Sequence, residues 1–161
     1  MILGWGKPKI YIKDLDDESS KWIELPTPAE GTTQLTTTKG DKKEAKVEGG
    51  ENEDVKYNRN TYALACNIRQ AKGRKKPIGE DDGIITHNYQ VALQPEDPTT
   101  EGFMIDKASV SIEDTWTADE GGAWVYTFDA LKPESGKQLK WGLVKATGSG
   151  DSLAIEFTET K

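Results

Sequence analysis

Apolar residues along this chain recur at every second position far more often than at helical spacing. In TYALACNIR, Tyr62, Leu64, Cys66 and Ile68 share one face, the signature of a strand with one side in a core. PKIYIKDL sets Ile10 and Ile12 against Lys9, Tyr11 and Lys13, and Pro8 suits a first strand position, where a missing N–H matters little. KWIEL and TTQLTTT follow, split by the turn-rich PTPAEG. GIITHNYQVALQ places Ile85, His87, Tyr89, Val91 and Leu93 on one core-facing side, and Pro95 ends it. FMIDKASVSIEDTWTA and AWVYTFDAL flank DEGG, a turn whose glycines accept positive φ; LKWGLV and SLAIEF close around ATGSGD. About eight to ten short strands joined by turn chemistry predict a mainly-β domain, a β-sandwich or partly open barrel, spanning residues 1–161. QAKGRKKPIGEDDG breaks the alternation and lacks an apolar stripe, so at most one short helix is expected, within 70–82.

One alternating stretch is different in kind. EAKVEGGENEDVKY predicts a hairpin at 40–58, with Ala45 and Val47 on one face, Glu44, Lys46 and Glu48 on the other, and Gly49-Gly50 as its turn. Its few small apolar residues cannot anchor it, because an isolated two-stranded ribbon is marginal in water. The TYALACNIR strand is expected to continue directly from its second arm.

Composition narrows the function classes. The chain of 161 residues is long enough for a real core, yet it is 34 % hydrophobic and 30 % charged, so that core is lean and leans on its aromatic residues. A formal charge of −7 argues against general affinity for nucleic acid or anionic membrane. One cysteine, Cys66, excludes an internal disulfide framework. The opening MILGWGKPKIYIKDL lacks the n-region and apolar run of a signal peptide, and no segment approaches the roughly 20 apolar residues of a membrane helix. A soluble chain made in the cytosol is the expectation.

Catalytic chemistry is thinly represented. His87, the sole histidine, reads as a packed or rim residue, and Cys66 as a small core hydrophobe. A Cys66–His87 dyad would need an electropositive pocket that nothing local supplies. DLDDES (Asp14, Asp16, Asp17, Glu18) and GEDDG (Glu80, Asp81, Asp82) could offer hard oxygens to calcium, but neither has a calcium-loop register, and both read as turns. No phosphate loop or zinc pattern is present in the sequence. No enzyme, cofactor or metal is expected. The basic run RQAKGRKK (Arg69, Lys72, Arg74, Lys75, Lys76) has no interleaved aromatics for base stacking; an acidic protein surface, such as another copy of this chain, suits it better. Trp22, Trp116, Trp124 and Trp141 are expected mainly in the core, an exposed one marking a contact.

The order GKPKIYIKDL, then TKGDKKEAKVEGGENEDVKYNRNTYALACNIR, then WTADEGGAWVYTFDALKP resembles the tail tube proteins of long-tailed bacteriophages, in particular prophage-type tube subunits. The likeness covers roughly residues 6–141 and is one of pattern. It implies a small β-sandwich or half-barrel that assembles with itself into six-fold rings, stacked into a hollow virion tail tube through which double-stranded DNA passes without tight binding. It further implies assembly in the host cytoplasm and contacts with other tail proteins. On this reading Glu44, Glu48, Glu51 and Glu53 line or rim the lumen, with Ala45, Val47 and Val55 facing protein. Lys46 and Lys56 pair with acids across the ribbon, and the Arg69–Lys76 cluster meets a neighbouring subunit. The alternative is a carbohydrate- or surface-binding β-sandwich module using exposed Trp rings.

Overall fold

The computed structural model describes residues 3, 5–17, 19 and 21–160, and they form an almost entirely β architecture. Eleven strands follow in order: β1 (Lys9–Asp14), β2 (Ile23–Glu24), β3 (Gln34–Thr38), β4 (Lys42–Lys46), β5 (Asn52–Tyr57), β6 (Thr61–Arg69), β7 (Asn88–Gln94), β8 (Gly102–Thr117), β9 (Gly121–Ala130), β10 (Lys140–Thr147) and β11 (Ala154–Glu159). Residues 70–82 hold turns and bends and no helix; among the described residues the one helical element is a single 3₁₀ turn, Gly150–Ser152, between β10 and β11.

All pairing is antiparallel, in the order β2-β1-β7-β8-β9-β6-β3, and the sheet ends at β2 and β3 without closing into a barrel. It folds over on itself at β8. The first part of that 16-residue strand lies between β7 and β10, and the rest, from Ala108 onward, pairs with β9. The β7–β8 register slips by one residue between the Tyr89–Ala108 and Val91–Ile105 pairs, a bulge at Asp106–Lys107. One extra residue inverts the side-chain alternation. Phe103 and Ile105 before the bulge, and Ala108, Val110 and Ile112 after it, therefore all point into the same core. Lys140 secures the bend with Nζ 2.6 Å from Asp106 Oδ2.

That core joins Ile10 and Ile12 of β1 and Val91 of β7 to Leu64, Cys66 and Ile68 of β6 and Trp124, Tyr126 and Phe128 of β9, sandwich fashion. Each fully buried large aliphatic or aromatic side chain contributes about 1.5–3 kcal/mol. The reverse face of β1, β7 and β8 carries Tyr11, Ala92 and Met104, covered by the β10–β11 hairpin through Val144, Ala146, Ile155 and Phe157. Gln94 Nε2 donates to the Val144 carbonyl at 3.0 Å across that contact. The strand expected from GIIT is absent: β7 starts at Asn88, and His87 is on the surface rather than in the core. Its chain is diverted because Leu15 N–H donates to the Asn88 carbonyl and Asp16 Oδ2 accepts the Asn88 N–H, tying this point to the end of β1.

Candidate functional site

The polar stretch forms the expected hairpin, a two-stranded sheet of β4 and β5 outside the main sheet. It is the outward continuation of the β3–β6 pair. Thr38 pairs with Thr61 and Lys42 with Tyr57, so each arm adds the same number of residues and the register carries through unbroken. At the neck the Asn58 N–H donates to the Asp41 carbonyl at 2.8 Å and the Gly40 N–H to Asn60 Oδ1 at 3.2 Å. A Cβ at position 40 would collide with the Asn58 carbonyl, so the neck requires glycine. The turn closes by Val47 N–H donating to Glu51 O, with Gly49 and Gly50 at φ of +95° and +88°. At about 3.3 Å per residue the ribbon reaches roughly 30 Å beyond the body. Every residue from 41 to 57 is exposed except Val55, which is half-buried.

Its faces are not those the alternation predicts. Directly opposed residues share a face, and Val55 lies opposite Glu44, Asp54 opposite Ala45 and Lys56 opposite Lys43. Acid and apolar positions are thus mixed on both sides. Glu53 is the extra residue of a bulge next to Ala45–Lys46. The expected cross-ribbon ion pairs are replaced by pairs along β4: Glu44 lies 2.8 Å from Lys42 Nζ and 3.5 Å from Lys46 Nζ. Lys56 instead faces another lysine. The hydrogen bond from Lys42, then its charge, hold the Glu44 carboxyl below its ordinary pKa. Glu44 therefore stays ionised with its charge offset by two neighbouring lysines, whereas from Val47 to Asp54 the ribbon carries Glu48, Glu51, Glu53 and Asp54 and no base.

The basic segment lies at the other end of β6. Arg69 closes that strand opposite Ala123, and Gln70 N–H donates to Gly122 O at 2.8 Å. Arg69, Lys72, Arg74 and Lys75 are exposed; Arg74 Nη1 donates to the Arg69 carbonyl at 2.6 Å. Lys76 differs from its neighbours, with Nζ 2.7 Å from Glu80 and 3.0 Å from Asp114. Beside it Ile78, 1 % exposed, plugs the excursion into the core.

Beside Gly122 stands the β8–β9 turn, and there Trp116 is 72 % exposed. Trp141 is about half exposed, edge-on to Phe103 with centroids 5.5 Å apart, while Trp124 is buried and Trp22 packs on the reverse-face cluster. The expectation of mainly core tryptophans thus fails for two of these four. At the opposite end of β8 the two layers of the folded main sheet part around a cavity of about 710 Å³. Pro28, Leu35, Leu64, Leu93, Pro95 and Phe103 wall it, and Trp5, Lys7 and Glu30 sit on its rim. No local motif announces this mouth, because its walls come from strand ends far apart in sequence.

Titratable groups elsewhere serve the fold. Cys66 is fully enclosed opposite Tyr126, and burial pushes its thiol pKa up to about 12. His87 is at the surface, with Nδ1 2.7 Å from Asp14 Oδ2. Asp17 Oδ1 accepts from both the N–H and the hydroxyl of Ser19, which lowers its pKa, and Glu80 accepts from Gly83 N–H. Both acidic turns thus fold their own backbone; Glu18 lies outside the described residues. Among the described residues no three His, Cys, Asp or Glu side chains are grouped as a metal site. No protein-family model matches this chain, and no curated protein is significantly similar to it.

Proposed function

We infer that this chain is a structural subunit of a tail tube of the long-tailed bacteriophage type, joining copies of itself into stacked, six-fold rings around a channel for double-stranded DNA. The observation that carries the reading is the ribbon: it prolongs the β3–β6 pair roughly 30 Å past the body and forms a sheet of its own. A two-stranded ribbon of this composition gains durable order from neighbours. The body also ends on open edges. Gln34–Thr38 pairs with β6 on one side, and no described strand covers its other side; it carries neither charge nor proline to deter pairing. Ring closure satisfies such edges without runaway association.

The acidic distal half of the ribbon has a physical use at a DNA channel. Nonspecific binding through phosphates reaches roughly 10⁻⁴–10⁻⁶ M and, repeated over many rings, would arrest the polymer. Glu48, Glu51 and Glu53 would repel it instead, within a screening length of about 10 Å; Glu44, already paired with two lysines, contributes least. In this reading the protein belongs to the virion tail and assembles in the host cytoplasm with other tail components. The exposed Trp116 and Trp5 occupy opposite ends of the body, which suits contacts between copies better than one sugar platform. Negative-stain microscopy of concentrated protein tests the assignment: annuli or hollow fibres are expected, and particles that stay monomeric at every concentration refute it.

A further inference from the structure

We propose that the apolar mouth between the two layers of the main sheet is the seat for Trp116 of a second copy, so that subunits join head to tail through an aromatic knob and a socket. The inference rests on the self-assembling reading above and supplies the contact between successive layers.

Knob and socket occupy opposite ends of one strand. Phe103 walls the mouth at the start of β8, and Trp116 stands at its other end. At about 3.3 Å per residue the path along β8 between them is roughly 40 Å, shortened by the bend at Asp106–Lys107; Trp116 stands on the far side of that bend from the mouth, so a chain does not fill its own socket. A contact between unlike ends repeats along an axis. The knob is also held ready. Trp116 pairs with Gly122 in the ladder, Thr115 Oγ1 donates to the Ala123 carbonyl at 3.2 Å, and Glu120 N–H donates to Thr117 Oγ1 at 3.1 Å. The backbone that carries the knob is thus already ordered, and docking has only the indole side chain itself to fix.

The socket suits an indole. A cavity of about 710 Å³ with an aliphatic and aromatic wall falls in the size range that encloses ring-containing ligands. Leu64, at 0 % exposure, forms its floor, and Trp5, 78 % exposed, gives its rim a second aromatic surface. Charge agrees with the docking direction. The exposed bases that follow β6 flank Trp116, whereas Glu30 lines the mouth and Glu96 lies just behind its rim, accepting the Lys7 N–H at 3.2 Å. The carboxylates of the β8–β9 turn find Lys7 on that same rim. Opposite signs thus meet at both borders, which steers encounter and fixes orientation.

Sedimentation velocity across a concentration series, on the full chain and two variants, tests this. Trp116→Ala removes the knob from an exposed position, and Thr33→Trp fills the socket. Each variant should need about thirty-fold more protein than wild type to reach half-assembly, as for loss of a central Trp anchor. Mixed in equal amounts, they should form one head-to-tail contact that neither forms alone, pairing two copies or two rings but propagating no further. Should Trp116→Ala assemble at the wild-type concentration while wild type forms rings, the knob-and-socket contact is overturned and the tube reading stands. Wild type that remains monomeric throughout removes both. An apolar dye that occupies the mouth equally in free and assembled wild type also overturns the contact, since Trp116 would then lie elsewhere.

Discussion

Val55 stands directly across the ribbon from Glu44, so the largest aliphatic of β5 shares a face with a carboxylate held between two lysines. Such a pair adds little to ladder stability. β6, by contrast, is paired on both sides, with β3 and β9, above a fully buried row. Amide exchange in dilute protein should therefore be fast throughout β4 and β5 and slow in β6, approaching the limit of global unfolding there. On assembly the ribbon amides should gain protection. Ribbon amides as slow as those of β6 in a sample shown to be monomeric would contradict this account.

A second expectation concerns pH. The hydrogen bond from His87 to Asp14, then the charge of Asp14, raise the His87 pKa above its ordinary value, and Asp16 and Asp17 act in the same direction. A raised folded-state value means that the folded chain favours the protonated ring. The resulting stabilisation is complete below the unfolded value of about 6.5 and disappears as pH rises through the folded value. His87→Asn should accordingly lower the urea midpoint more at about pH 5.5, below the unfolded value, than at about pH 9, well above it. In a proton NMR titration the His87 midpoint should lie above 6.5; a lower midpoint would contradict the pairing.

The excursion between β6 and β7 is held chiefly by one side chain. Ile78 is buried against the core formed by β6, β8 and β9, while the neighbouring Lys76 is ion-paired at the surface. Ile78→Ala should cost about 2–5 kcal/mol in urea unfolding, the range for truncating a buried aliphatic. Lys76→Ala should cost far less, because exposed ion pairs are screened. Equal losses for the two variants would show that the bridge, rather than the buried methyl groups, holds the segment.

Why some of this is legible in the sequence and some is not has a common cause. β6 announces itself because its alternation is uninterrupted and one face is fully buried, so period two survives into the structure. The β8 bulge leaves no such trace: Phe103, Met104 and Ile105 are all apolar, and nothing local shows which alternate members enter the main core. The ribbon follows from alternation and a glycine pair. Its face assignment fails because pairing register, set by the turn and the Glu53 bulge, decides which residues meet. The basic cluster is visible as composition, yet the capture of Lys76 depends on Asp114, a residue two strands later. His87 reads as core by spacing, but contacts with Asp14 and the tie at Asn88 draw the chain away before the strand begins. The socket joins the ends of four strands, information that exists only in the topology.

The ribbon can be removed without touching the core, and that separates folding from assembly. Asp41 and Asn58 are already joined by a backbone hydrogen bond in continuous register, so a two-residue Asn-Gly turn can replace residues 42–57. The deleted residues bury almost nothing, Val55 alone being half-buried. The shortened chain should therefore melt within about 3 °C of the full one, the shift of roughly 1 kcal/mol for a domain of this size. If the ribbon links copies, the same variant should form no tubes at concentrations where the full chain does, by electron microscopy. Loss of the melting transition would mean that the ribbon supports its own body through contacts its exposure does not reveal. A trimmed chain that still builds normal tubes would place the assembly contacts wholly on the body, leaving the knob and socket without help from β4 and β5.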